Sequence, residues 1–391
     1  MKIAGGSLRA FELPLRRPLC TGAGTIWSRT GVLLFLKTDT GNVGVGEASP
    51  LPFFGMESLE VARETLEKLL PALRGIHLDH LDEEAWSLLP DADVTPSAAA
   101  ASVTALGDLA AQAQGMPLAS WLVRRRRASA HSESGDTSAC SGQRSTSARS
   151  EVETHALLTE SEPQACAQEA CRRIAEGFRA LKLKFSVGDA ERDFARATAV
   201  RAAVGPAVLL RGDANGAWSM QEAKVRLAAL APLVFEYVEQ PLPADALEDS
   251  AALRARSRVP IAADEAATTP ARARRIIELR AADVLIVKPQ AAGGFLRADE
   301  IVTAARAAGL HVVASHLLES AVGFTAALHW AASWPGEGSI SGLGTVECSV
   351  DDVAALPVSE RGILRLSGKP GLGIGGLRDR FSASQSGSDF S

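Results

Sequence analysis

Charged residues recur through the second half of this chain at an interval that few folds accommodate. Lys184, Asp213, Glu239, Asp264 and Lys288 each close a short apolar run, and successive members stand 24 to 29 residues apart. A βαβ unit takes about 30 residues, so the spacing predicts one such residue per strand-helix unit. Candidate strands at 152–158, 180–185, 207–213, 235–239, 259–264, 283–288, 311–315 and 339–342 alternate with helical periodicity, as at 163–176, 220–230, 270–279 and 298–308. Eight units make an α/β fold of the (β/α)8 TIM-like barrel type, whose strand carboxyl ends converge on one mouth. An open doubly wound sheet alternates in the same way, but no strand here runs into a glycine-rich dinucleotide loop that opens a helix.

The first hundred or so residues read differently. Strand-like runs at 31–37 and 43–47 flank the turn signal Thr40-Gly41-Asn42, and helical spacing follows at 58–73 and 97–122. The expected organisation is an α+β domain over 1–123, a barrel over 152–345, and a segment over 346–391 that returns to the first domain, with a frayed tail from about 382. Residues 124–151 contain no Val, Ile, Leu, Met, Phe, Trp or Tyr. Such a stretch buries too little surface to offset its ordering entropy and is expected to be a mobile insertion, with Arg124–Arg127 as a solvated linker.

A formal charge of −5 gives no basic field for a polyanion, so nucleic acid is not an expected partner. With no apolar stretch long enough to span a bilayer and no secretory leader, the expectation is a cytoplasmic protein without a membrane partner. The five cysteines form no metal-finger spacing and read as reduced thiols.

The chemistry follows from the strand ends. Three buried carboxylates repel unless a cation lies between them, and hard oxygen donors without His or Cys suit Mg²⁺ or Mn²⁺. Asp213, Glu239 and Asp264 are therefore candidate metal ligands. Lys182 and Lys184 lie two apart on one strand and share its inward face, where burial and a neighbouring ammonium are expected to lower the pKa and free an amine as base. Lys288 comes from strand six, across the barrel. Two opposed lysines around a bound cation suit removal of a proton α to a carboxylate, whose enolate needs charge stabilisation.

These motifs, the lysine pair at 182 and 184, Asp213 with Asn215, Glu239-Gln240-Pro241, Asp264-Glu265 and Lys288-Pro289, resemble the muconate-lactonizing subgroup of the enolase superfamily. The segment from Gly44 through Ser58 resembles o-succinylbenzoate synthases, and the stretch 315–323 resembles the same enzymes and N-acylamino acid racemases. The resemblance implies an enolase-like fold with the N-terminal domain capping the barrel. It implies Mg²⁺ on Asp213, Glu239 and Asp264 with Asn215 and Glu265 behind them, and Lys184 as base. Lys288 would face the other side of the substrate, and Lys182 would tune Lys184 and hold the carboxylate. Contacts to a small-molecule carboxylate substrate are expected from Thr25, Arg29, Ser315, Ser320 and Gly342, with the loop 20–29 and the turn 51–55 closing the mouth.

The implied activity is a carbon-oxygen lyase of menaquinone synthesis, forming o-succinylbenzoate by dehydration of a succinyl-hydroxycyclohexadiene carboxylate. The same lysines also serve an N-acylamino acid racemase. A dipeptide epimerase fits less well, because such enzymes carry a DxD pair after strand eight where Gly342-Leu343-Gly344 stands here. A catalytically inactive barrel is the reading from another class, though no member of the charged set is missing. His155 and His316 are expected outside the catalytic set.

Overall fold

In a computed structural model the chain is described at residues 1–21, 24–78, 86–134, 147–185, 188–334, 339–344 and 352–376. The chain opens with an antiparallel sheet of β1 (Ile3–Thr21), β2 (Gly24–Thr38) and β3 (Val43–Ala48), paired in that order. Alternation along β2 sends Val32, Leu34 and Leu36 into a core with the helices α1 (Leu59–Leu73) and α2 (Pro96–Ala113), while Leu33 joins the core shared with the barrel. Helix α2 is buried along most of its length because its alanines let β3 lie directly on it. A Cβ at Gly46 would stand 1.9 Å from the Ala101 carbonyl oxygen, so a glycine is required there.

The expected mobile insertion begins instead as helix: α3 runs Leu118–Ser134. Its arginines dock it. Arg126 Nε lies 2.7 Å from Asp299 Oδ2, and its guanidinium stacks 4.3 Å from the centre of the Trp334 ring. Arg125 lies 5.1 Å from the Trp86 ring centre. The solvated-linker reading of Arg124–Arg127 is thereby corrected: partners distant in sequence supply what the local composition lacks. Residues 135–146, like the tail from 382, lie outside the described residues.

The barrel follows. Strands β5 (Ala156–Leu158), β6 (Ala180–Lys184), β7 (Leu209–Asp213), β8 (Phe235–Glu239), β9 (Ile261–Ala263), β10 (Val284–Val287) and β11 (His311–Ala314) form one sheet in chain order, every pair parallel. Helices α4 (Pro163–Ala175), α5 (Ala190–Val204), α6 (Met220–Leu230), α7 (Leu247–Arg254), α8 (Pro270–Leu279), α9 (Phe295–Ala307) and α10 (Ala321–Ser333) lie between and after them.

Two candidate strands differ from expectation. The first is split, since β4 (Glu151–Glu153) pairs antiparallel with β12 (Ile363–Arg365) and only residues 156–158 join the barrel ladder. The eighth is reduced to the bridges Thr154–Ser341 and Ser315–Gly342, which close the barrel between its first and seventh strands. Residues 352–376 run back to the first domain. Leu118 N–H donates to Gly371 O (2.8 Å), and Leu372 N–H donates to Asp108 Oδ1 (2.8 Å). Among the described residues no helix is long and apolar enough to cross a membrane.

Candidate active site

Strand alternation and register place the charged groups. In β6, Leu181 and Leu183 are fully buried among Cys166, Ala170, Ala197 and Val200 of the surrounding helices, so Lys182 and Lys184 point into the barrel. The ladders then pair Lys184 with Asp213 and Asp213 with Glu239, lining these three up at one level. Asp264 follows β9 and Lys288 follows β10. The three carboxylates thus occupy consecutive strands, with a lysine strand on either side of the row.

The side chains meet closely. Lys182 Nζ donates to both Glu239 oxygens at 2.9 Å and lies 2.8 Å from Asp213 Oδ2. Lys184 Nζ lies 3.3 Å from Asp213 Oδ2 and donates to Asn215 Oδ1 at 2.7 Å. Asn215 Nδ2 donates in turn to Glu265 Oε1 at 3.1 Å, so Asn215 and Glu265 form a buttress behind Lys184. Lys288 pairs with Asp264 Oδ2, and its ammonium lies 4.3 Å from the centre of the Phe54 ring. Asn215 and Gln240, the residues that leave β7 and β8 for their loops, have φ of 45° and 40°. Non-glycine residues held in this region cluster where a site over-determines the backbone. Gln240 uses its side chain there, accepting from Asp264 N–H (3.0 Å) and Ala266 N–H (3.2 Å) through Oε1.

Electrostatics distinguish the groups. Burial alone would lower the Lys182 pKa, but Asp213, Glu239 and Asp264 outweigh it and hold the ammonium well above the ordinary lysine value. Lys288 is also raised, burial again being outweighed, here by Asp264, Glu239 and Glu265. The expected downward shift of the lysine pair therefore does not hold for Lys182, since carboxylates rather than Lys184 dominate its surroundings. Glu239 is pushed up to about 8 by burial and by Asp213. Asp213 is held below the usual carboxylate range because Lys182 and Lys184 outweigh its burial.

Among the described residues no three acidic, His or Cys side chains already converge as a metal site; the lysine ammoniums lie against the carboxylates instead. The donor chemistry nonetheless fits a hard divalent cation. Three carboxylates from adjacent strands are buried together, and among the described residues Asp264 Oδ1 and Glu265 Oε2 have no hydrogen-bond partner.

Above the row lies a cavity whose empty space, its open mouth included, is about 600 Å³. Lys182, Lys184, Asp213, Asn215, Glu239, Asp264, Lys288, Ser315 and Gly342 line it, all expected site residues. Others fall elsewhere. Arg29 is buried beneath the cavity wall, donating to the backbone oxygens of Ser49, Pro50 (3.4 Å) and Leu318 (3.3 Å), so its donors hold the wall rather than a ligand. Ser320 is buried at the N-terminus of α10 and donates to Glu47. Thr25 is exposed and pairs with Cys20 across the β1–β2 ribbon, which replaces the expected loop 20–29. Glu265 does not line the cavity and is hydrogen-bonded to it through Asn215.

The two segments expected to close the mouth line the cavity too, together with residues after β11 and two histidines that the sequence reading set aside. Ile26, Leu51, Phe53 and Phe54 form an apolar roof from the first domain, and Leu317 and Leu318 form a wall after β11. His155 and His316 line it as well. His316 pairs through Nδ1 with Glu319 at 3.1 Å. Roof and wall are tied together by Glu47, which accepts from Ser49 Oγ (2.7 Å), Ser320 N–H (2.9 Å), Ser320 Oγ and Gly323 N–H (2.8 Å). This carboxylate from β3 caps the start of a barrel helix, where the helix dipole favours negative charge. Mutual proximity of Glu47 and the cavity had no signal in the sequence, since Glu47 and Ser320 are brought together only by the packed fold.

Comparison with known proteins is consistent along the chain. Residues 7–122 match the family described as mandelate racemase / muconate lactonizing enzyme, N-terminal domain, and residues 165–379 match the enolase C-terminal domain-like family. An L-Ala-D/L-Glu epimerase of Bacillus subtilis is 30% identical over 96% of this chain and 97% of its own. An N-succinylamino acid racemase of Thermus thermophilus is 33% identical over 85% and 83%. The crystal structure of a dipeptide epimerase from Enterococcus faecalis V583, complexed with Mg and the dipeptide L-Leu-L-Tyr, superposes with a TM-score of 0.81 at 29% identity, covering 96% of this chain and 99% of that one. These relatives are isomerases. They overturn the expectation of a carbon-oxygen lyase in menaquinone synthesis and favour the proton-transfer alternative.

Proposed function

Because this chain belongs to the mandelate racemase/muconate lactonizing enzyme family of the enolase superfamily, we propose that it inverts the α-carbon of an N-acylated amino acid. The observation that carries the reading is the row of three carboxylates with a lysine strand on each side. A proton can leave one face of a carbon held over that row and return to the other.

Lys184 takes the proton on its side, steadied by Asn215 and Glu265. Lys288, kept protonated beside Asp264, supplies a proton to the opposite face. The roles exchange for the other enantiomer. Lys182 stays an ammonium between Asp213 and Glu239 and acts as a fixed positive charge rather than a base. Asp213, Glu239 and Asp264 would hold Mg²⁺, as the Mg complex of the Enterococcus faecalis relative supports; when bound, the cation stabilises the charge that develops on the substrate carboxylate. The roof of Ile26, Leu51 and Phe54 excludes water from the carbanion and suits an apolar side chain.

An N-acyl group is favoured over the free amino terminus of a dipeptide. Among the described residues lining the cavity the only carboxylates are Asp213, Glu239 and Asp264, and strand eight offers Gly342. A substrate ammonium on that side would meet no counter-charge among the described residues. The test is polarimetry of N-succinyl- and N-acetyl-L-phenylalanine, and of L-Ala-L-Phe, with Mg²⁺ and after chelation. Loss of rotation for the acylated compounds alone, stopped by chelation, is expected. Inversion of the dipeptide but not of the acylated compounds would refute the substrate assignment, and no inversion by folded, Mg²⁺-supplied protein would refute the reaction.

A further inference from the structure

The cavity has a built feature beside the lysine strand, below the end of β7. Arg211 is fully buried in β7, one layer below the mouth. Its guanidinium is fixed from several directions: Nε lies 2.6 Å from Glu236 Oε2, NH1 donates to Ile340 O at 2.9 Å, and the group stacks 5.1 Å from the Tyr237 ring centre. The same NH1 lies 3.1 Å from Nδ1 of His155.

A guanidinium has donors and no acceptor. Nδ1 of His155 must therefore be the acceptor, and the ring proton must sit on Nε2. Among the described residues Nε2 has no protein partner, and it is not one of the buried polar atoms left without one. His155 itself lines the cavity. The charges that face the ring are Arg211 and Lys182, with Asp213 opposing them and His316 nearby; burial and the two cations keep the imidazole neutral.

We infer that His155 is a substrate-binding residue, an Nε2–H donor whose tautomer is locked by Arg211 and which binds the acyl carbonyl of the substrate. The inference rests on the proposed function for the identity of the ligand. His155 precedes β5, beside the lysine strand, and Ser315 and Gly342 complete that side of the cavity. A neutral donor fits a neutral carbonyl oxygen, and it would do nothing for an ammonium, which needs an acceptor. A ring that flipped tautomer would lose this donor, and the lock prevents it.

Two measurements test the assignment. Imidazole ¹⁵N spectra, with the His155 signals identified by their loss in His155→Gln, should show Nε2 protonated and Nδ1 bare between pH 6 and 8, and the Nε2 signal should move on addition of N-succinyl-L-phenylalanine. In kinetics, His155→Phe should lower kcat/KM for that substrate roughly three- to tenfold through KM, the range of one neutral hydrogen bond. His155→Gln, whose amide nitrogen reaches to about the Nε2 position, should recover most of the loss. A ring protonated on Nδ1, or a His155→Phe variant with unchanged KM, would overturn the inference. If the wild-type protein inverts no acylated amino acid and Nε2 does not respond to one, the acyl assignment falls together with the proposed function, while the tautomer spectrum separately decides the Arg211 lock.

Discussion

His329 links three parts of the chain, and acidification should expose it. It lies fully buried in α10, where Nδ1 accepts from the Ala119 N–H at 3.1 Å and Nε2 donates to Leu372 O at 3.2 Å. Protonating Nδ1 would set an N–H against an N–H in a fully buried site. Burial lowers the pKa from 6.5 to about 4, with the Leu372 bond opposing. A base with a lowered folded pKa leaves the unfolded chain holding more protons in the interval between the two values. Its stabilising contribution is therefore complete above about pH 6.5 and is lost as pH falls toward 4. At roughly 1.4 kcal/mol per unit, moving from pH 7 to pH 5 removes about 2 kcal/mol. Urea unfolding at both pH values, on the wild-type protein and on His329→Gln, isolates the effect from the other titrating groups. The wild type should lose about 2 kcal/mol more than the variant. Equal losses would refute the argument that the neutral ring is required.

The Glu47 latch predicts that Glu47→Gln weakens the union of roof and wall, because an amide presents N–H groups to donors. A loss of about 2–4 kcal/mol in urea unfolding is expected, with KM raised because both cavity walls depend on it; an unchanged unfolding midpoint would count against the latch. Leu181→Ala, at a fully buried position between β6 and the outer helices, should cost about 2–5 kcal/mol and leave KM nearly unchanged, since its side chain faces away from the cavity. Asn215→Ala removes the acceptor that steadies Lys184 and should lower kcat about tenfold or more with little change in KM, whereas an equal change in both would place Asn215 in binding instead.

Much of the site was legible because a β/α repeat converts sequence position into a place around a ring. A charge at the end of each apolar run can go nowhere except the barrel mouth, and Lys182, Lys184, Asp213, Glu239, Asp264 and Lys288 all line the cavity. What was not legible depended on partners remote in sequence. Arg126 belongs to a helix because Asp299 and Trp334 receive it, and its own serine-rich neighbourhood carries no trace of them. His155 was placed outside the catalytic set, yet it reaches the cavity because the first strand is split around it and Arg211 holds the ring. Arg29 and Ser320 looked like ligand contacts, but each is consumed by the cap-barrel seam. The reaction class was hidden for a different reason: elimination and inversion begin with the same lysine and the same carboxylates, so the catalytic motifs alone cannot separate them.

Wash-in of deuterium at the α-carbon tests the central claim most directly. In D₂O with Mg²⁺, wild-type protein should label N-succinyl-D- and N-succinyl-L-phenylalanine alike and interconvert them. Lys184→Ala should abolish interconversion yet still label one enantiomer, and Lys288→Ala should do the same for the other enantiomer only. Labelling of both enantiomers by either variant, or loss of both in only one of them, would contradict a proton transfer shared between lysines on opposite faces of the substrate.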